Sequence, residues 1–144
     1  MPLELVQIRR RVQVRLADVK RAAAARREKV DAAGRAYETF LANVATPTVT
    51  AVAQSLSAEG YPYRVTTPGG AVRMTSDRSG RTYVEIRLDT AGAVPQVVAE
   101  VGRERGRRVL ADERPVAEGT PVDAITDEQV LAALLESMAE LIER

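Results

Sequence analysis

From residue 3 to residue 44 the chain places apolar side chains at Leu5, Ile8, Val12, Leu16, Val19, Ala23, Val30, Tyr37, Leu41 and Val44, with no proline between them. The intervals are three and four, or sums of these, which is the spacing of one helix face. At 1.5 Å per residue such a helix reaches roughly 60 Å, longer than a compact domain of this size is wide. Part of it must project, unless it breaks at Gly34, where glycine costs about 1 kcal/mol relative to alanine. A projecting amphipathic helix has a stripe to bury, and a second copy of the chain is the nearest partner. The chain therefore divides into an arm helix, residues 1–44, and a compact α+β domain, residues 45–144.

The middle of the arm, Arg21-Ala-Ala-Ala-Ala-Arg26 followed by Asp31-Ala-Ala-Gly34, is rich in small residues. Small side chains permit close antiparallel pairing of two helices; equally, alanine is a good helix former in a solvated segment. The stripe is not a strict leucine heptad, which argues against a long parallel coiled coil.

Beyond the arm the pattern predicts a short second helix over 47–59. Thr46 is placed to cap it, Pro47 to fill its first position and Gly60 to stop it. Alternation then predicts an antiparallel meander of four to five strands: 63–67, 71–76, 82–90, 96–102 and 107–112. Pro68-Gly69-Gly70, Asp77-Arg-Ser-Gly80 and Arg103-Glu-Arg-Gly106 supply turns. In the clearest strand Val84, Ile86 and Leu88 alternate with Tyr83, Glu85, Arg87 and Asp89, so one face of the sheet is dry and the other wet. A capping box at Thr126-Asp-Glu-Gln129 opens a last helix. Its apolar face, Val130, Leu131, Leu134, Leu135, Met138, Leu141 and Ile142, is expected to cover the dry side. The predicted class is α+β: a long N-terminal helix, a short second helix, the meander, and a C-terminal helix over the sheet.

The residue inventory removes most chemistries. The 144 residues include neither cysteine nor histidine. Disulfides, thiolate or imidazole metal ligands and Ser-His or Cys-His catalysis are thus excluded. Aromatics make up 3% of the chain, too few for a base-stacking platform. The carboxylates Asp77, Glu85, Asp89, Asp112 and Glu113 are scattered through the sheet, with Arg73, Arg81 and Arg87 equally placed to neutralise them. No catalytic residue, metal site or cofactor is expected. Neither a signal peptide nor a run of about 20 apolar residues is evident, so a cytoplasmic location is the expectation.

Charge is the anomaly. Arg9 to Lys29 holds nine basic and two acidic residues, a net of +7, while Asp112 to Arg144 holds nine acidic and two basic, a net of −7. Because the whole chain nets only +1, composition hides this dipole. Only Lys20 and Lys29 of the 21 basic residues are lysines, which a GC-rich genome explains more simply than selection for phosphate contacts. The charges are solvated faces, a phosphate-tracking arm, or a basic arm meeting the acidic C-terminal helix of another copy. Lying on an anionic membrane is disfavoured, since the stripe has no Trp and no Phe before Phe40.

The leading expectation is a non-enzymatic, oligomerising protein-interaction module of adaptor or chaperone type. It would be a homodimer through Leu5, Ile8, Val12, Leu16, Val19, Ala23, Val30, Tyr37 and Leu41, holding an unidentified protein partner. The alternative is a nucleic-acid-associated protein binding phosphates through Arg9, Arg10, Arg11, Arg15, Arg21, Arg26 and Arg27.

Overall fold

The computed structural model describes residues 2–142, and its first helix continues past the point where the sequence suggests a break. Helix α1 spans Leu5–Phe40, a π-helical turn spans Leu41–Ala45, and α2 spans Thr46–Ala58 without interruption. At its start the Glu4 backbone N–H donates to Gln7 Oε1 at 3.2 Å, half of a capping box. Gly34 lies inside α1 and does not break it. A Cβ there would meet nothing within 4 Å. Gly34→Ala is therefore expected to stabilise the fold by about 1 kcal/mol, read as a raised midpoint in thermal unfolding followed by circular dichroism.

The expected second helix is thus a continuation, and Thr46 is not its cap. Thr46 has helical dihedrals, φ −62° and ψ −46°, and its N–H donates to the Leu41 carbonyl five residues back. Two features explain the π turn. Pro47 has no N–H, and its ring presses on the carbonyl four residues earlier, so a wider turn just before it relieves the crowding. The buried residues here are Tyr37, Phe40, Ala45, Val49, Val52, Ala53 and Leu56, with Leu41 and Val44 partly buried against the same core. Between the fully buried positions Phe40 and Ala45 the step is five, one residue longer than the usual α-helical repeat, and the π turn absorbs it. Thr48 Oγ1 reinforces the turn by donating to the Val44 carbonyl at 2.7 Å.

Five strands follow: β1 Tyr63–Thr66, β2 Val72–Ser76, β3 Tyr83–Asp89, β4 Gln96–Arg105 and β5 Arg108–Pro115. They form one antiparallel sheet in sequence order, β1-β2-β3-β4-β5. The β1–β2 connection turns through Gly69 and Gly70 at φ +38° and +79°, values that exclude most side chains. The last hairpin is longer and tighter than expected. Arg103, Glu104 and Arg105 belong to β4, and the turn is Gly106-Arg107 alone, with Arg105 paired opposite Arg108.

After a 3₁₀ turn at Val122–Ala124 comes α3, Asp127–Ile142. Its capping box is formed: the Gln129 N–H donates to Thr126 Oγ1 at 3.3 Å and the Thr126 N–H donates to Gln129 Oε1 at 3.0 Å. The dry face of the sheet presents Val72, Met74, Val84, Ile86, Val97, Ala99 and Val101. Helix α3 shares the covering of that face with α2, which packs on β1 and β2 while α3 packs on β3, β4 and α2. Two tyrosines tie the layers together. Tyr37 Oη donates to the Ile86 carbonyl and Tyr63 Oη to the Leu141 carbonyl, both at 3.3 Å. Burial, with the Glu85 carboxylate nearby, pushes the Tyr37 phenol up to about 12. Burial also raises Tyr63.

Candidate functional site

Three surfaces remain once the core is assigned. On the wet face of the sheet, Glu85 is buried beneath Arg73, whose Nε donates to it at 3.0 Å, with Arg87 on its other side at 4.0 Å. Arg87 also bridges Glu100 at 3.0 Å and pairs with Glu113. Desolvation pulls the Arg87 guanidinium down, but the Glu100, Glu113 and Glu85 carboxylates outweigh it and leave it raised. Tyr83 lies across Gly102 of the neighbouring strand, where a Cβ would meet its ring at 2.2 Å, and Arg73 stacks 4.1 Å above that ring.

The remaining sheet carboxylates are engaged as well. Asp77 pairs with Arg64 at 2.8 Å, Asp112 lies 3.9 Å from Arg114, and Asp89 Oδ1 accepts from the Ala91 N–H at 2.9 Å. Arg81 is exposed and makes no ion pair among the described residues. On the wet face Arg73 and Arg87 thus neutralise Glu85, Glu100 and Glu113 together. Among the described residues no group of three or more acidic, His or Cys side chains is arranged to hold a metal.

The second surface is the arm. Every described residue up to Lys29 is exposed. Leu5 is 75% exposed and Ile8, Val12, Leu16 and Val19 are 43–51% exposed, all on one side of a continuous helix. Ala23 is exposed too, whereas Val30 is half-buried. Tyr37 and Leu41, which continue the same stripe, pack into the chain's own core. The stripe thus divides: its C-terminal end is buried within the chain and its N-terminal end is bare.

Arg9, Arg10, Arg11, Arg15, Arg21, Arg26 and Arg27 are all exposed. At 3.6 residues per turn they encircle the helix and do not form a single row. Arg9 and Arg27 flank the stripe on one side, Arg15 and Arg26 on the other. Among the described residues only Arg21 of these has an acidic partner, Asp18, one helical turn away.

The third surface emerges only from the tertiary structure. Between α2 and α3 runs an apolar groove of about 560 Å³. Ala51, Val52 and Leu56 line one wall, and Leu131, Leu135 and Met138 the other. Leu135 stands 52% exposed in it. Its rim is acidic, with Asp127 and Glu128 where α3 begins and Glu59 where α2 ends. None of these three carboxylates has a cationic partner among the described residues. The sequence assigns Leu131, Leu135 and Met138 to the sheet-covering face; the readable signal was that face's width, greater than one sheet can bury. Glu143 and Arg144, counted in the acidic C-terminal segment, lie outside the described residues.

No helix among the described residues is long and apolar enough to cross a membrane. The chain matches no family model, no curated protein and no solved structure.

Proposed function

We propose that the protein is a non-enzymatic, self-associating interaction module, with the N-terminal helix as its assembly element. One observation carries this reading: five large apolar side chains, Leu5, Ile8, Val12, Leu16 and Val19, lie bare along one face of the helical segment that ends at Lys29, every described residue of which is exposed. An apolar stripe of this length held in water favours association, because covering it removes roughly 25 cal/mol per Å² of hydration cost. The engagement of Glu85, Glu100 and Glu113 by arginines supports a binding role over a catalytic one, and a protein partner held on the assembled module follows as the use of such a platform.

The expected solution state of the full chain is a homodimer at micromolar concentration. Val12→Arg with Leu16→Arg is expected to convert it to a monomer that keeps its circular dichroism spectrum, since both positions lie outside the core. Light scattering after size exclusion measures this directly. A parent chain that is already monomeric sinks the proposal.

A second reading rests on the unpaired arginines of the arm, which suit phosphates of a nucleic acid. It predicts retention on duplex DNA that falls steeply between low and high salt. It becomes the stronger reading if the parent is a monomer.

A further inference from the structure

We infer that the groove between α2 and α3 is the seat for the N-terminal arm of a second copy, so that two chains assemble by placing each arm in the other's groove. The inference deepens the assembly role proposed above and rests on it; it names the surface the arm meets.

Four observations meet in this arrangement. The first is chemical matching. The arm offers an apolar stripe flanked by guanidinium groups, and the groove offers an apolar floor with carboxylates at both ends. The cations of the arm, apart from Arg21, and the anions of the groove, Glu59, Asp127 and Glu128, have no charged partners within the described chain.

The second is length. The groove's α2 wall runs from Asn43 to Glu59, about 25 Å along the helix axis, and the bare stripe from Leu5 to Val19 covers about 22 Å. The third is connectivity. Arm and α2 are parts of one continuous helix, so the arm points away from its own groove and cannot fold back onto it. An arm that enters this groove therefore comes from another copy.

The fourth observation decides against the obvious rival, in which the two arms pair with each other. Pairing arm with arm would set two segments of net charge +7 side by side, with guanidinium groups flanking both stripes. Like charges brought together in this way oppose association, whereas arm against groove joins opposite signs. The small residues in the middle of the arm let the helices approach closely, but they do not remove that repulsion.

The two arrangements differ in their response to salt. Screening weakens an arm–groove dimer and strengthens an arm–arm dimer. The test is sedimentation equilibrium on the full chain at low and high sodium chloride, with three sets of variants whose folding is checked by circular dichroism. Leu135→Arg places a cation in the groove, at a half-exposed position the core does not use. Arg11→Glu with Arg15→Glu reverses the arm, and Asp127→Arg with Glu128→Arg reverses the rim.

The expected results are a dissociation constant about tenfold weaker at high salt and at least 100-fold weaker for Leu135→Arg. Each charge reversal alone should weaken the dimer about tenfold. Mixing the arm-reversed chain with the rim-reversed chain, or combining both reversals in one chain, should restore association. A dimer that Val12→Arg with Leu16→Arg abolishes, but that Leu135→Arg leaves intact and salt tightens, overturns this inference while leaving the assembly role standing. A dimer indifferent to the arm variants, or a monomeric parent, overturns both.

Discussion

Removing Ala42 from the π turn is expected to cost the protein about 3 kcal/mol, and replacing Pro47 by alanine in the same chain to restore its stability to at least that of the parent. The expectation follows from the two causes of the turn. The core-facing residues Phe40 and Ala45 are separated by one residue more than an α-helix accommodates, and Ala42 is an exposed residue within that interval. Its deletion makes the spacing from Phe40 to Ala45 four, so Tyr37 and Phe40 stay in phase with Val49, Val52 and Leu56 on a regular helix. The closed turn then brings a backbone carbonyl against the Pro47 ring, and the penalty of an interior proline appears in full. Pro47→Ala removes that clash and returns a hydrogen-bond donor.

Pro47→Ala alone should change stability much less, because the five-residue step still demands the wide turn. The cycle is read from urea midpoints of the four proteins. If the double variant is no more stable than the deletion alone, the register argument is wrong and the turn has another cause.

That step of five also marks the limit of what the sequence made legible. The arm's period was plain from Leu5 to Leu41, and the strand alternation around Val84, Ile86 and Leu88 placed the sheet, its dry face and its meander order. The capping box at Thr126 located α3 to the residue. Two failures share one physical origin, since each required knowing how elements lie beside one another. Thr46-Pro47 reads locally as a helix start, and only the packing of Phe40 and Ala45 on the same side of the core shows that the helix runs through it.

Similarly, Leu131, Leu135 and Met138 read as sheet-facing because they share one wide apolar face with Val130, Leu134 and Leu141. With α2 and α3 both laid on the sheet, these residues line the channel between the helices. The last hairpin departs from its pattern in a smaller way. Arg103 to Leu110 is polar and mostly exposed, yet the strands extend through it because two-residue turns need only Gly106 at φ +64°. Charge was the one functional signal visible in one dimension, and it became specific once the acidic rim of the groove and the basic flanks of the arm stood on helices of comparable length.

Adjacent leucines on α3 separate folding from assembly. Leu134 is fully buried at 0% exposure among the sheet and helix side chains, while Leu135, one residue on, is 52% exposed in the groove. Leu134→Ala removes three carbons from a packed interior and leaves a cavity, a loss of about 3–5 kcal/mol. Set against a total stability of about 5–15 kcal/mol for an ordinary domain, that brings the chain close to unfolding at body temperature. Leu135→Ala removes the same atoms from a wall already in contact with water, so its effect on the unfolding of the isolated chain should be within about 0.5 kcal/mol.

The assembled state should respond in the opposite sense. At a concentration where the parent is dimeric, Leu135→Ala weakens association by trimming the floor on which the arm rests, whereas the folded fraction of Leu134→Ala still dimerises. Thermal melts at low protein concentration, paired with sedimentation at high concentration, measure both quantities on both proteins. Equal losses of stability for the two variants would mean that the groove is closed in solution and Leu135 is part of the core. Unequal losses, with association following Leu135, would place that side chain at the meeting surface of two chains.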